Sequence, residues 1–438
     1  MEKIKIAICG PVDAGKSSLI GVLTSGELDN GRGSARNKIL KHSHEIETGR
    51  TSNITFNSLI YNIENSNVHV ETCKNNVGYF EINNSLEIKN QKKVVSLIDL
   101  AGHEKYFKTT LFGVSGMYVD YGIVVIGANT DITRLTREHI GILFYLKVPF
   151  IIVITKIDMA PQDVYENLKK NVNNLITRNK LANQMIFLND DNDFRTIINN
   201  NTFNIDIIPV VSLSNTNGLN VNNLHQLLCN LSPRKKWIPN DVGGSIFYID
   251  STFKVSGIGT VLSGTLKGDN IKVKQKLLIG PVGSKFYEIT AKSLHNSIRE
   301  DQQEIVDNES SCIAIRFTNP KETIDKEYIR KGMVVVSNEQ LVKKFLTKKF
   351  TAKIKILHHS TTMKSGYCPV IHCGPIRQSA IMKINDNQFL RSGDEKLVEF
   401  EFKYHLEFIE PNVIFFFRDG STKGVGTIID ILNQDLDL

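Results

Sequence analysis

The chain has 438 residues, enough for about three ordinary domains, and its 41% hydrophobic and 23% charged residues exclude a disordered protein. A formal charge of +7 permits a nucleic-acid partner without requiring one. No apolar run approaches the roughly 18 residues that span a bilayer, the N-terminal MEKIKIAICGP is too short in apolar residues for a secretory signal, and six cysteines (Cys9, Cys73, Cys229, Cys312, Cys368 and Cys373) form no CxxC pair. A cytoplasmic protein with no membrane partner and reduced, mostly buried thiols is therefore expected, without a disulfide framework or a four-ligand zinc site.

The first predicted strand, Ile4 to Cys9, runs directly into GPVDAGKS, Gly10 to Ser17, and a helix is predicted from Lys16. The pattern GxxxxGK[ST] between a strand and a helix is a phosphate-binding loop. Its glycines, Gly10 and Gly15, let backbone N–H groups converge on phosphate, Lys16 neutralises the β and γ oxygens, and the Ser17 hydroxyl ligates Mg2+. Asp13, Ala14 and Ser18 complete the expected nucleotide contacts. The long polar stretch from Leu23 to Thr55 contains Arg50-Thr51-Ser52, a candidate switch in which Thr51 closes onto the metal, with Ser52 and Thr55 as the alternatives. Asn62 to Asn90 reads as surface hairpins or loops.

A strand at Val94 to Ile98 ends in Asp99-Leu-Ala-Gly102, which supplies a carboxylate to the metal shell and a glycine N–H to the γ-phosphate. His103 follows at once and is the candidate for orienting the attacking water. After a helix from near Glu104 come a strand at Gly122 to Ile126, a helix near Thr136 and a strand at Phe150 to Ile154. That strand ends in Thr155-Lys156-Ile157-Asp158, where Asp158 can accept both N1–H and the exocyclic amine of guanine, a donor pair adenine lacks. GTP and GDP are accordingly preferred to ATP. A helix near Ala160, an asparagine-rich insertion at Asn189 to Asn204, a strand at Ile207 to Val211, Ser214-Asn215 as a backbone partner for guanine O6, and a helix near Leu219 finish this part. Short apolar strands alternating with helices, several of them followed by a functional residue, describe an α/β fold with a largely parallel sheet.

Past Leu231 the chain reads SPRKKWIPND, and from Ser245 short β-branched runs punctuated by Gly257, Gly259, Gly264 and Gly268 indicate an all-β region. The lysine-rich EQLVKKFLTKKF, near Asn338 to Phe350, reads as a linker before new strands at Ala352 to Leu357. The expected division is a nucleotide-binding domain at 1–236 and two β-barrels at 241–340 and 345–438. His42 with His44, His358 with His359, and Cys368, His372 and Cys373 lack zinc-motif spacing and are assigned structural or surface roles.

GPVDAGKSSLIG, DLAGHEKYFKTT and TKID together resemble the elongation-factor-type translational GTPases, the group of EF-Tu and elongation factor 1-alpha. VSGIGTVLSGTLKGDNIKV from Val255, GYCPVIHCG from Gly366, LRSGD from Leu390 and FRDGSTKGVGTI from Phe417 resemble its second and third domains. Within the group, GELDNGRGSARNKILKHSHEIETGRTS and SLIDLAGHEKYFKTTLFG are most similar to the GTP-binding protein 1 and 2 subgroup. The resemblance implies a GTP-switched binder of tRNA and ribosome, acting in delivery or ribosome rescue, as a monomer, with an exchange factor as a further candidate partner. It also implies that Val12 gates His103 and that Asp13 acts near the phosphates. The chain departs from the group at Pro11 and Ala14, where histidines are usual, and at Thr155, where asparagine is usual and its amide braces the site. A GTP-gated protein-binding module that never touches RNA is the alternative reading.

Overall fold

The computed structural model describes residues 2–39, 54–64, 67–72, 76–81, 91–178, 181, 184–189, 193–194, 196–197, 205–234, 237, 241–319, 321, 323–384, 389–420 and 422–432. The chain forms two compact units, one of Met1–Val114 with Val119–Arg234 and one of Ser115–Tyr118 with Lys235–Leu438.

The first unit is a nine-stranded sheet flanked by helices. Its strands are β1 (Glu2–Cys9), β2 (Thr55–Glu64), β3 (Asn67–Glu71), β4 (Asn76–Glu81), β5 (Gln91–Asp99), β6 (Tyr121–Gly127), β7 (Phe150–Thr155), β8 (Gln184–Leu188) and β9 (Ile207–Ser212). They lie in the order β4-β3-β2-β5-β1-β6-β7-β9-β8. The pairs β1–β5, β1–β6, β6–β7, β7–β9 and β8–β9 are parallel. Central parallel strands are covered on both faces, which is why β6 and β7 are buried at every position and read as unbroken apolar runs.

The described helices of this unit are α1 (Lys16–Ser25), α2 (Ser34–Asn37), α3 (Phe107–Ser115), α4 (Arg134–Tyr145), α5 (Gln162–Arg178) and α6 (Val221–Asn230). Those predicted near Thr136, Ala160 and Leu219 start within two residues of expectation. The one predicted from Glu104 opens as a 3-10 turn, Glu104–Tyr106, before α3. In α5, Leu168, Val172 and Ile176 recur every four residues and are its buried stripe. Lys93 on β5 is buried and donates from Nζ to the carbonyl oxygens of Cys229, at 2.6 Å, and Leu231. It thereby satisfies carbonyls at the end of α6 that the helix leaves unpaired.

Two expectations are corrected here. The asparagine-rich stretch from Asn62 is not merely surface, because β2, β3 and β4 extend the sheet in antiparallel register and bury Ile63, Val68 and Val70. Alternation sends those apolar residues inward and puts Asn62 and Asn67 on the other face. The supposed linker holds helix α7 (Glu339–Phe345), capped by Asn338 Oδ1, which accepts from the Leu341 amide at 3.0 Å. Its Leu341, Val342 and Phe345 pack with Ile246, Tyr248, Val336 and Phe408, while its two lysines occupy the last turn, where positive charge suits the helix dipole.

The second unit holds two closed six-stranded barrels. One runs Lys276–Val282, Val334–Val336, Ser245–Val255, Gly259–Gly268, Ser310–Phe317 and Lys285–Asn296, closed by pairing of the last with the first. The other runs Lys349–His358, Glu395–Phe402, Ile376–Lys383, Val370–Cys373, Ile414–Asp419 and Thr422–Leu432. Its interior is aromatic, with Phe350, Phe400 and Phe415 in mutual contact at centroid distances of 5.4 and 5.7 Å. His372 and Cys373 are both buried, and no cluster of three or more metal-ligating side chains occurs among the described residues.

Two buried carboxylates join the barrels. Glu407 accepts from Arg330 Nη2 at 2.8 Å and Gln378 Nε2 at 2.6 Å, and Glu410 accepts from Lys267 Nζ at 2.6 Å and from the Tyr248 hydroxyl. Burial pushes the Glu407 carboxyl up to about 7, against the opposing pull of Arg330 and Gln378. An acid whose folded pKa lies above its unfolded value stabilises the fold fully below the unfolded pKa, near 4.5, and loses that contribution as pH rises through about 7. The contribution is at most about 3 kcal/mol. Thermal unfolding followed from pH 5 to 8 should therefore show a falling midpoint in the wild type and a flatter profile in Glu407→Gln; identical profiles would contradict this account.

Candidate guanine-nucleotide site

Parallel pairing brings the functional residues to one edge. Ile8 stands opposite Asp99, Cys9 opposite Val124, Gly127 opposite Thr155, and Ile154 opposite Ser212. Each strand ends at that edge, so the loops after β1, β5, β7 and β9 open there.

The loop after β1 is shaped by its glycines. Gly10 has φ 149° and Gly15 φ 84°, and a Cβ at Gly10 would stand 2.3 Å from the Val125 carbonyl oxygen, so only glycine fits. Gly15 is also the residue before α1, whose first-turn amides point outward as an anion site. Lys16 is buried and donates from Nζ to the Pro11 carbonyl at 2.8 Å. Burial pulls its ammonium below the ordinary range, while Asp99, Cys9 and Asp13 push it back up. Asp13 is exposed, with φ 60°, Ala14 is buried, and Ser18 is half-buried.

Ser17 Oγ donates to Asp99 Oδ2 at 2.9 Å, and Asp99 is fully buried. Gly102 closes over the same spot, since a Cβ there would lie 2.3 Å from Lys16 Nζ and 2.8 Å from the Gly10 carbonyl oxygen. His103 is exposed, and its Nδ1 accepts from the Lys105 amide at 3.1 Å, capping the 3-10 turn. Thr51, with Arg50 and Ser52, lies outside the described residues, as do His42 and His44, whereas Thr55 is buried in β2.

At the base-reading end, Asp158 is exposed and accepts from Thr216 Oγ1 at 2.8 Å, and Thr216 Oγ1 also meets Ser214 Oγ at 2.9 Å. Partial burial works to raise the Asp158 carboxyl, but hydrogen bonds from Ser214 and Thr216 outweigh it and hold it below the ordinary range. Lys156 adopts φ 60° beside it. Asn215 is buried, and its Oδ1 has no hydrogen-bond partner among the described residues.

The missing asparagine at Thr155 is compensated. Thr155 is fully buried and its Oγ1 donates to the Ala14 carbonyl at 2.7 Å and approaches that of Ile126 at 3.4 Å. A hydroxyl therefore ties the base loop to the phosphate loop, and Thr155 braces the site from below. Sequence reasoning also passed over Thr216 and His139. Serine and threonine after a strand are turn formers that bond neighbouring groups, which was the available signal for Thr216. His139 is buried in α4 and stacked on Phe107 of α3 at 6.2 Å. Burial, and then the charge of Lys16, pushes its pKa down to about 3, so the ring is neutral.

A glycine-lined anion cradle, a buried lysine, a hydroxyl–carboxylate pair and a polar base loop on one sheet edge define the class of P-loop GTPases. The Elongation factor Tu GTP binding domain family matches residues 1–234, and the chain belongs to that family. It is similar to GTP-binding protein 1 of Xenopus laevis, 37% identical over 99% of this chain, and to human GTP-binding protein 2, 32% identical over 98%. The chain spans 64% of the length of the former and 69% of the latter. Elongation factor 1-alpha of Archaeoglobus fulgidus is 24% identical, with 98% of each chain covered. The fold matches the S. cerevisiae Ski7 GTPase-like domain bound to GTP, with TM-score 0.70, 15% identity and coverage of 98% of this chain and 97% of that one. It also matches translation elongation factor SelB of Methanococcus maripaludis in complex with the GTP analogue GppNHp, with TM-score 0.63, 20% identity and coverage of 99% and 80%.

Thr155→Val keeps the side-chain volume but leaves the Ala14 carbonyl unpaired, a loss of about 1–3 kcal/mol. GDP should dissociate about tenfold faster or more, while Thr155→Ser should behave as wild type; stopped-flow release of a fluorescent GDP would reveal a failure if the valine variant released no faster.

Proposed function

We propose that the chain is a translational GTPase that binds tRNA and the ribosome in its GTP form and is released by hydrolysis, in delivery or rescue. The observation that carries this reading is the joining of a guanine-nucleotide site to two linked β-barrels in a chain of the elongation factor Tu family.

In this reading the backbone amides from Asp13 to Ser18 receive the phosphates, and Lys16 Nζ leaves the Pro11 carbonyl for the β and γ oxygens. Asp158 reads the guanine edge, and the peptide N–H groups of Ser214 and Asn215 face its O6. Ser17 and Asp99, whose oxygens stand 2.9 Å apart, would with Thr51 supply the oxygen ligands that Mg2+ prefers. Mg2+ there would offset charge on the phosphate oxygens. The Gly102 N–H meets the γ-phosphate, so its position reports whether that phosphate is present.

Water attacks the γ-phosphorus as the bond to the β–γ bridging oxygen breaks and the water's proton passes to a γ-phosphate oxygen, giving phosphate and GDP. His103 acts by hydrogen bonding: its Nδ1 accepts from the Lys105 amide, which leaves Nε2 as the ring nitrogen that orients the water or a γ-oxygen. His103→Ala should keep GTP affinity and lower ribosome-stimulated single-turnover hydrolysis about a hundredfold; an unchanged stimulated rate would remove His103 from the mechanism.

A site in the cytoplasm, a monomeric state and an exchange factor that speeds GDP release complete the proposal. Filter binding of aminoacyl-tRNA with GTP and with GDP, repeated across a salt series, tests it. Tighter binding with GTP and a steep salt slope are expected. Absent or nucleotide-independent RNA binding would favour a GTP-gated protein-binding module instead.

A further inference from the structure

The segment GELDNGRGSAR is assigned no phosphate contact above, yet it is closely bonded within itself. Asp29, buried to 8% exposure, organises it. Its Oδ2 accepts from the Gly31 amide at 3.1 Å and the Gly33 amide at 3.2 Å. Its Oδ1 accepts from the Ala35 amide at 2.9 Å and from Ser34 Oγ at 3.3 Å. Four donors on one carboxylate fix the course of the chain from 29 to 35.

The loop so fixed is bonded to the base loop once and lies close to it at two glycines. The Asp29 amide donates to the Asn215 carbonyl at 2.8 Å. A Cβ on Gly218 would meet Leu28 Cδ2 at 3.3 Å, and one on Gly31 would meet Thr216 Cγ2 at 3.9 Å. Thr216 is the residue whose hydroxyl holds Asp158. On its far side the loop abuts α1, where a Cβ on Gly21 would stand 2.2 Å from the Ala35 carbonyl oxygen, and α1 begins at Lys16. The loop therefore spans from the phosphate-binding helix to the base-reading residues.

We propose that Asp29 is a positioning residue for guanine recognition: its carboxylate sets the loop that holds the Asn215 carbonyl, and through the next residue, Thr216, it aims Asp158 at the base. This rests on the guanine-site reading above. ITP isolates the effect, because it shares the triphosphate, N1–H and O6 of GTP and lacks only the exocyclic amine that Asp158 is assigned to accept.

Affinities for GTP and ITP and the GDP release rate would be measured for wild type, Asp29→Asn and Asn30→Ala. Asn30 Oδ1 accepts from the exposed Arg32 and Ser34 amides, so its removal leaves in place the Asp29 bonds that set the loop. Asp29→Asn should release GDP about tenfold faster and lose about tenfold of the GTP-over-ITP preference, the equivalent of one buried hydrogen bond. Asn30→Ala should match wild type in both. A folded Asp29→Asn protein with wild-type release and wild-type preference would overturn the proposal. A wild type that binds GTP and ITP equally would overturn the guanine-site reading and this inference with it. Amide hydrogen exchange on the wild type decides the matter even if the variant does not fold: GDP should slow exchange at the Asp29 amide about tenfold or more, and no change there would overturn the proposal.

Discussion

Every part of the nucleotide site depends on the parallel register of five neighbouring strands. Because β5, β1, β6, β7 and β9 run the same way, their carboxyl ends, carrying Asp99, Cys9, Gly127, Thr155 and Ser212, finish together. An antiparallel neighbour would carry its following loop to the opposite edge. The hydrophobic cost of exposing such strands demands helices on both faces, and α1, which covers the sheet with Leu19, Ile20 and Leu23, delivers Lys16 and Ser17 at its N-terminus as a consequence. Packing and chemistry are thus satisfied by the same helix.

Contacts across that edge are what make four separate loops one site. Ser17 reaches Asp99, 82 residues away; Thr155 reaches Ala14, 141 residues away; Thr216 reaches Asp158, 58 residues away. The first two are bonds to buried groups, where loss of one partner leaves the other unsatisfied, while the third is exposed and serves to orient Asp158. In the second unit the barrels are joined on the same principle, with Glu407 and Glu410 each taking two donors from across or beside the interface. A buried ion pair of this kind is a poor source of net stability but fixes one relative placement of the two barrels, because a shifted interface would strand a charge.

Features carried by contiguous residues were legible in the sequence. The phosphate loop, the Asp99–Gly102 and Thr155–Asp158 motifs, the five parallel strands and the change to all-β structure each announce themselves within a dozen residues. What was hidden depends on partners far along the chain or on composition that masks periodicity. Asparagines obscured the inward alternation of Val68 and Val70, and paired lysines obscured the apolar stripe of α7. The brace from Thr155 could not be read because its acceptor is a backbone carbonyl in another loop, and threonine there looked like a lost asparagine. Asp29 sat in an Asx-turn composition, LDNG, whose local meaning was visible and whose contact with Asn215 was not.

The base loop and the phosphate loop form one connected network, and Gly102 sits at its edge against Lys16. If that network serves a translational GTPase, hydrolysis should wait for a partner that holds His103 in place. Phosphate release from GTP by the purified chain, with and without ribosomes, tests this most directly. A slow intrinsic rate raised about a hundredfold or more by ribosomes is predicted; the same rate with and without ribosomes would contradict the account.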